Sequence, residues 1–162
     1  MPKANDEKIK SEPKKPLNKR RLLISACLVV IALFALLAPT IFYQSPTAEL
    51  SVGNQKISLE IASTQLAREQ GLGGRSSLPQ NKGMLFAYPA PVIQCFWMKG
   101  MHFSIDMIWV THDKKIIMIQ PSVSPSTYPR SFCPAMPAQY VIELNAGLSK
   151  KLDLQVGQTL HL

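Results

Sequence analysis

Five charged side chains fall inside or beside apolar stretches of this 162-residue chain: Arg68, Arg75, Lys99, Asp106 and Glu143. A charge placed there must be paired or stand at a cleft, because an isolated ion in a low-dielectric interior is expensive. Two arrangements are open to them. In one they pair internally, as Arg75 with Asp106 would. In the other Arg75, Asp106 and Glu143 line a polar binding site, with Trp97 as a stacking face and Lys99 as an anchor for an anion. Asp106 and Glu143 are also the pair of carboxyls that acid and base work on a glycan would use. No catalytic motif accompanies them: the sequence has no Ser or Cys nucleophile with an assignable base, no phosphate-cradling glycine loop and no zinc spacing.

Sulfur offers two further chemistries. Cys95 and Cys133 are the two cysteines that follow the apolar segment containing Cys27. In an exported domain they would form a bridge closing a 38-residue separation; the alternative is two separate buried thiols. Met98, Met101, His102 and Met107 with Cys95 supply ligand types that suit Cu(I). Their spacing is irregular, however, and Met is a common filler of uneven cores, so no metal and no cofactor is expected.

These residues cluster around one stretch, Gly83 to Asp106, the densest run of aromatic and sulfur-bearing residues in the chain. The elements that must position it follow from periodicity. Residues 48–52 and 56–62 read as a hairpin about Gly53-Asn54, since Ile57, Leu59 and Ile61 alternate with polar residues. Ser63 and Thr64 are cap residues for a short helix ending at Gly71, Gly73 and Gly74. Strands are expected over 84–88, 92–98, 105–111 and 116–120, without clean alternation and therefore covered on both faces. Pro89-Ala90-Pro91 is read as a turn, and proline-rich 121–137 as a long stiff loop. A strand over 140–145, a short helix over 148–152 and a final strand over 158–162 complete the list. Short strands with two small helices predict a mainly β fold, a small compact barrel or jelly-roll-like sandwich.

The first third of the chain has a different composition. Residues 1–21 carry eight of the 18 basic side chains against three acidic ones, a net +5, whereas the chain from Tyr43 onward is only +3. So small and scattered a charge excludes a nucleic-acid footprint. Residues 22–42 are uncharged, and at about 1.5 Å per residue they match a bilayer core in length. The basic cluster before them predicts a cytoplasmic N-terminus and an extracytoplasmic body. A cleaved signal peptide is the alternative, with a small-residue site at Ala35 to Ala38, but Pro39 would follow the cut. The expected organisation is a basic tail (1–21), a transmembrane signal anchor (22–42), a linker (43–48) and a β domain (49–162) in the cell envelope at the plasma membrane.

Several pieces also occur in one order: Thr64 with Arg68 and Gly71-Leu72, Arg75, Gly83-Met84-Leu85-Phe86, Phe96-Trp97-Met98-Lys99, Ile105-Asp106, and Tyr140 to Leu144 with Ala146-Gly147. Together they resemble the family named domain of unknown function 192, over about residues 49–160. The resemblance implies a compact, mainly β fold in proteins often exported or membrane-anchored, and it implies no reaction. This chain departs from the family pattern at Gln65-Leu66-Ala67 after the cap, at Gly100 where the family usually has Asn, and at Ser104 where it has Pro. The functional expectation is a non-enzymatic binding or accessory module for an envelope ligand or protein. The alternatives are an envelope hydrolase using Asp106 and Glu143, or a purely structural tether.

Overall fold

The computed structural model describes residues 20, 23–24, 26–33 and 45–162. Residues 23–24 and 26–33 are helical. The basic tail and the transmembrane segment expected over 22–42 otherwise lie outside the described residues. Among the described residues, no helix is long and apolar enough to cross a membrane.

From Ser45 onward the elements in chain order are β1 (Thr47–Val52), β2 (Gln55–Ala62), α1 (Gln65–Gln70), β3 (Lys82–Val92), β4 (Phe96–Trp97), β5 (Ile105–Val110), β6 (Ile116–Val123), a 3-10 turn (Pro125–Thr127), β7 (Ser131–Phe132), β8 (Ala138–Asn145) and α2 (Leu148–Lys151). Six strands form one mixed sheet in the order β1-β2-β3-β8-β5-β6, and β4 and β7 form a separate two-stranded ladder. The β1–β2 hairpin turns at Gly53-Asn54 as its alternation predicts. The β2–β3 pair is parallel, because α1 carries the chain over the sheet between them.

The fold is mainly β, as expected, but the barrel is not closed. Strands β1 and β6 are the two edges of the sheet and do not pair with each other. The expected final strand, 158–162, makes only isolated bridges, Thr159 to Lys115 and His161 to Ser51. It ties the two edges at one end instead of completing a ladder. Two proline assignments also change. Pro89 and Pro91 lie within β3 and not in a turn, beyond the point where β2 has ended and a missing N–H leaves no gap on that side. The expected loop over 121–137 contains the end of β6, the 3-10 turn and β7. Pro121 is tolerated there because β6 is an edge strand.

Both faces of the sheet are covered, which is why its central strands lack simple alternation. One face packs Met84, Phe86, Met107, Trp109 and Val141 beneath Leu72, Phe96, Met98 and Phe132. The other packs Leu59, Leu85, Ile108, Ile142 and Leu144 against Leu148, Leu152, Leu154 and Leu160. All six residues of β5 are buried. Gly83 is where the inner strands approach most closely: a Cβ there would lie 2.7 Å from side-chain carbons of both Leu59 and Leu144.

Asp106 is a structural hub. It is fully buried in β5, on the face opposite that of Met107. Its Oδ1 accepts from the backbone N–H of Ser122 at 2.7 Å and of Gly147 at 2.9 Å, and its Oδ2 from Ser149 N–H at 2.8 Å and Ser149 Oγ at 2.6 Å. Ser122 reaches it from a register shift in the β5–β6 ladder, at a positive φ of 50°. Asp106 therefore joins β5, β6 and the start of α2, and it is not the partner of Arg75. Arg75 instead forms a two-pronged ion pair with Glu60, at 2.8 and 2.7 Å.

Cys95 and Cys133 are bonded, bearing out the expected bridge. Cys95 immediately precedes Phe96 and Cys133 immediately follows Phe132, two residues that face each other in the β4–β7 ladder, so the bond pins a two-residue ladder too short to hold itself.

Two outcomes follow. Asp106→Ala strands four donors, the two from Ser149 buried and those of Ser122 and Gly147 partly so, and should lower unfolding stability by about 3 kcal/mol, read from urea denaturation; a loss under about 1 kcal/mol contradicts the hub. Reducing the disulfide should cost about 2 to 4 kcal/mol. An unchanged denaturation midpoint with and without reductant is the contrary result.

Candidate functional site

A cleft of about 920 Å³ opens between α1 with its following glycine loop, the outer half of β3 and the segment 94–101, with Ser131 and Glu143 completing its wall. Its size falls in the range of about 300–1,000 Å³ usual for small-ligand sites. Each boundary has a local cause. Thr64 caps α1 by accepting from Ala67 N–H at 3.1 Å, as the sequence predicts. Gly71 ends the helix at a φ of 50°, and its backbone passes so close to Phe86 that a Cβ would lie 3.2 Å from the ring. The loop is then stitched to the opposite wall by Gly74 N–H donating to Gly100 O at 2.9 Å.

Glu143 lies in β8 opposite Met84 of β3 and Met107 of β5. It therefore points to the aromatic face of the sheet and lines the cleft, 5% exposed. Among the described residues, its Oε2 is the buried side-chain oxygen without a hydrogen-bond partner. Burial pushes its carboxyl up to about 8, against the pull of the Arg75 guanidinium. At neutral pH Glu143 is therefore mostly protonated. Tyr88, two residues beyond Phe86 on the same face, also lines the cleft, and burial pushes its hydroxyl up to about 12.

The rim is polar. Arg68 sits 4.9 Å over the Tyr88 ring and donates to Ser63 O and, at 3.1 Å, to Ala87 O. Trp97 is 55% exposed, and it and Lys99 both line the cleft. The sequence-nominated residues thus divide. Trp97, Lys99 and Glu143 meet in one cleft, while Asp106 lies on the opposite face of the sheet with its oxygens satisfied. The two carboxyls nominated for acid and base work do not converge. Arg75 is committed to Glu60, whose carboxyl that hydrogen-bonded pairing holds below its ordinary value; it reaches Glu143 only through its field. Of the thioether and imidazole candidates for copper, Met98 and Met107 are buried in the core, Cys95 is in the disulfide, and His102 is exposed.

Sequence reasoning missed Glu60, Phe86 and Tyr88. The period of two along β3 carries the signal for the aromatic pair, since Met84, Phe86 and Tyr88 must share a face; that Glu143 shares it follows only from the β3–β8 register, in which Met84 lies opposite Glu143. Glu60 lay hidden because it reads as an ordinary solvent-facing position of a hairpin strand.

The raised Glu143 value sets a pH dependence. Protonated Glu143 contributes stability that is fully present below the ordinary carboxyl value of 4.5 and is lost progressively as pH rises through about 8. Denaturation of the wild type should therefore show stability falling between these limits by up to about 1.4 kcal/mol per pH unit from this group, and Glu143→Gln should flatten that slope. Parallel profiles for the two proteins would refute the assignment.

No functionally curated protein matches the sequence. Two solved structures resemble the fold. One, from Sinorhizobium meliloti 1021 and provisionally described as a transcription regulator, is 28% identical with a TM-score of 0.66, the match covering 74% of this chain and 97% of that one. The other, a protein of unknown function from Novosphingobium aromaticivorans DSM 12444, is 24% identical with a TM-score of 0.64, covering 72% of this chain and 84% of that one. The model of the family DUF192, described as Uncharacterized ACR, matches residues 48–162. This bears out the resemblance carried by the Thr64-to-Gly147 pieces, and the chain belongs to the DUF192 family.

Proposed function

We propose that this protein is a binding module of the cell envelope, tethered to the plasma membrane by residues 22–42, whose ligand seats in the cleft between Trp97, Lys99 and Glu143. The observation that carries the binding role is Glu143: a carboxyl withdrawn from water, left with an unpartnered oxygen, and set in the wall of an open cleft. A group in that state is unfavourable for folding alone and is the kind of feature that ligand sites retain. Trp97 supports the same role, since a large indole half in water at a cleft rim is a ready contact surface.

Two observations favour placement outside the cytoplasm. The Cys95–Cys133 bond belongs to a compartment where disulfides persist. The uncharged segment 22–42 follows a cluster of basic residues, the order of an anchor with its N-terminus inside. Exposed Leu28, Val29, Val30, Ile31 and Leu33 present apolar surface that lipid would cover. The hydrolase alternative that pairs Asp106 with Glu143 loses its geometric basis, because the two carboxyls occupy opposite faces of the sheet.

The test is retention of envelope components on immobilised full-length chain in detergent, compared with the double variant Trp97→Ala, Lys99→Ala. A component retained by the wild type and reduced about tenfold or more by the variant, the loss of roughly 1.4 kcal/mol of contact energy, supports the module. Equal retention by both, or none by either, removes it.

A further inference from the structure

We propose that the cleft takes an uncharged sugar ring, stacked on Trp97 at the rim and hydrogen-bonded through neighbouring hydroxyls to the unpartnered carboxyl of Glu143. This rests on the binding role given above and adds the chemical class of the ligand.

Charge excludes most alternatives. Burial favours the protonated form of Glu143, with the Arg75 guanidinium opposing it. A cationic ligand would need the ionised carboxylate, and it would have to pass Arg68 and Lys99, which line the same cleft. An anion could meet Lys99 and accept from the one O–H of the protonated carboxyl, but having no donor it would leave the carboxyl's acceptor oxygen unsatisfied. The remaining nearby charges largely cancel: Arg75 is paired with Glu60, and Glu69 offsets one of the two cleft cations. An uncharged ligand meets none of these penalties.

Shape and hydrogen bonding then select among neutral ligands. A protonated carboxyl presents one donor and one acceptor side by side. Adjacent ring hydroxyls present the same pair, so both can be satisfied together. A trans secondary amide, as in a peptide, points its N–H and C=O in opposite directions and can use only one. Phe86, Tyr88 and Trp97 give the cleft aromatic surface for the apolar face of a ring. Gln94 and Ser131 add polar groups beside them.

The probes are uncharged β-linked hexamers of glucose and of N-acetylglucosamine, with hexaglycine as the peptide comparison, titrated calorimetrically into the full-length chain. At least one sugar should bind and hexaglycine should not. Trp97→Ala should weaken sugar binding about tenfold. Glu143→Leu should weaken it about tenfold or more, whereas Glu143→Gln, which keeps a donor and an acceptor, should stay within about threefold of wild type. Wild-type affinity should fall as pH rises past about 8, and that fall should be absent in Glu143→Gln. Denaturation curves of each variant confirm that it is folded. Failure of both sugars to bind, preference for hexaglycine, or equal losses in Glu143→Gln and Glu143→Leu would each overturn the sugar assignment. If a sugar fails while an envelope component is still retained in a Trp97- and Lys99-dependent way, the ligand class falls and the binding role stands; if nothing is retained, the binding role falls as well.

Discussion

The architecture depends on a buried carboxylate that is completely satisfied. Asp106 sits in β5, a strand with no exposed residue, and gathers N–H groups from β6 and from the turn leading into α2 together with the Ser149 hydroxyl. A four-residue helix cannot stand by propensity alone. Asp106 supplies the negative charge that its first N–H groups need and fixes it against the sheet. The same acceptor holds Ser122 in its left-handed conformation, which sets the bulge of β6. Elements distant in sequence are thereby placed by one side chain.

The pleat then separates Asp106 from Glu143. The two lie on paired strands, with Asp106 opposite Leu144 and Met107 opposite Glu143. Adjacent strand positions face opposite sides, so a one-residue offset in register is enough to send the carboxyls to different layers. One layer gives its carboxyl a full complement of donors, and the other leaves its carboxyl facing a cleft. Burial is common to both and cannot explain the difference. What differs is the surroundings: peptide N–H groups for Asp106, and Met84, Phe86 and Met107 beside Glu143. The first arrangement strengthens the fold, and the second is held at its expense, which is why the proposed site is placed at Glu143.

Local signals made much of the fold legible in the sequence. Alternation in Ile57, Leu59 and Ile61 specified the hairpin, and Thr64 and Gly71 specified where α1 begins and ends. The two cysteines beyond the apolar segment allowed a bond or two separate buried thiols, and the structure has the bond. The errors share a physical origin, since each depends on what lies beside a strand and not on the strand itself. Pro89, Pro91 and Pro121 looked like breakers, yet a proline breaks a ladder only where its missing N–H has a partner to lose. Whether residues 158–162 add a full strand, and whether the sheet closes, depends on the distance between its edges, a quantity with no local signature. The site shows the same division: Trp97, Lys99 and Glu143 were recognisable from chemistry and context, but separating Glu143 from Asp106 required register.

Rigidity is distributed unevenly around the cleft, and that bears on how it can bind. Its back, Phe86 and Glu143, belongs to the central strands and cannot move without disturbing the core. Its outer wall, from Gln94 to Met101, contains only the two-residue strand β4, and two covalent or hydrogen-bonded stitches restrain it. The disulfide joins it to β7, and the Gly74–Gly100 hydrogen bond joins it to the loop after α1. Both stitches lie close to Trp97, so the indole is carried on a wall of low intrinsic stability that has been fastened on either side. Such fastening limits the ordering entropy lost on binding, since the wall is constrained before a ligand arrives. Under the proposed binding role, the bond between Cys95 and Cys133 would therefore serve recognition as well as stability: without it the rim of the cleft would have to be assembled by the ligand itself.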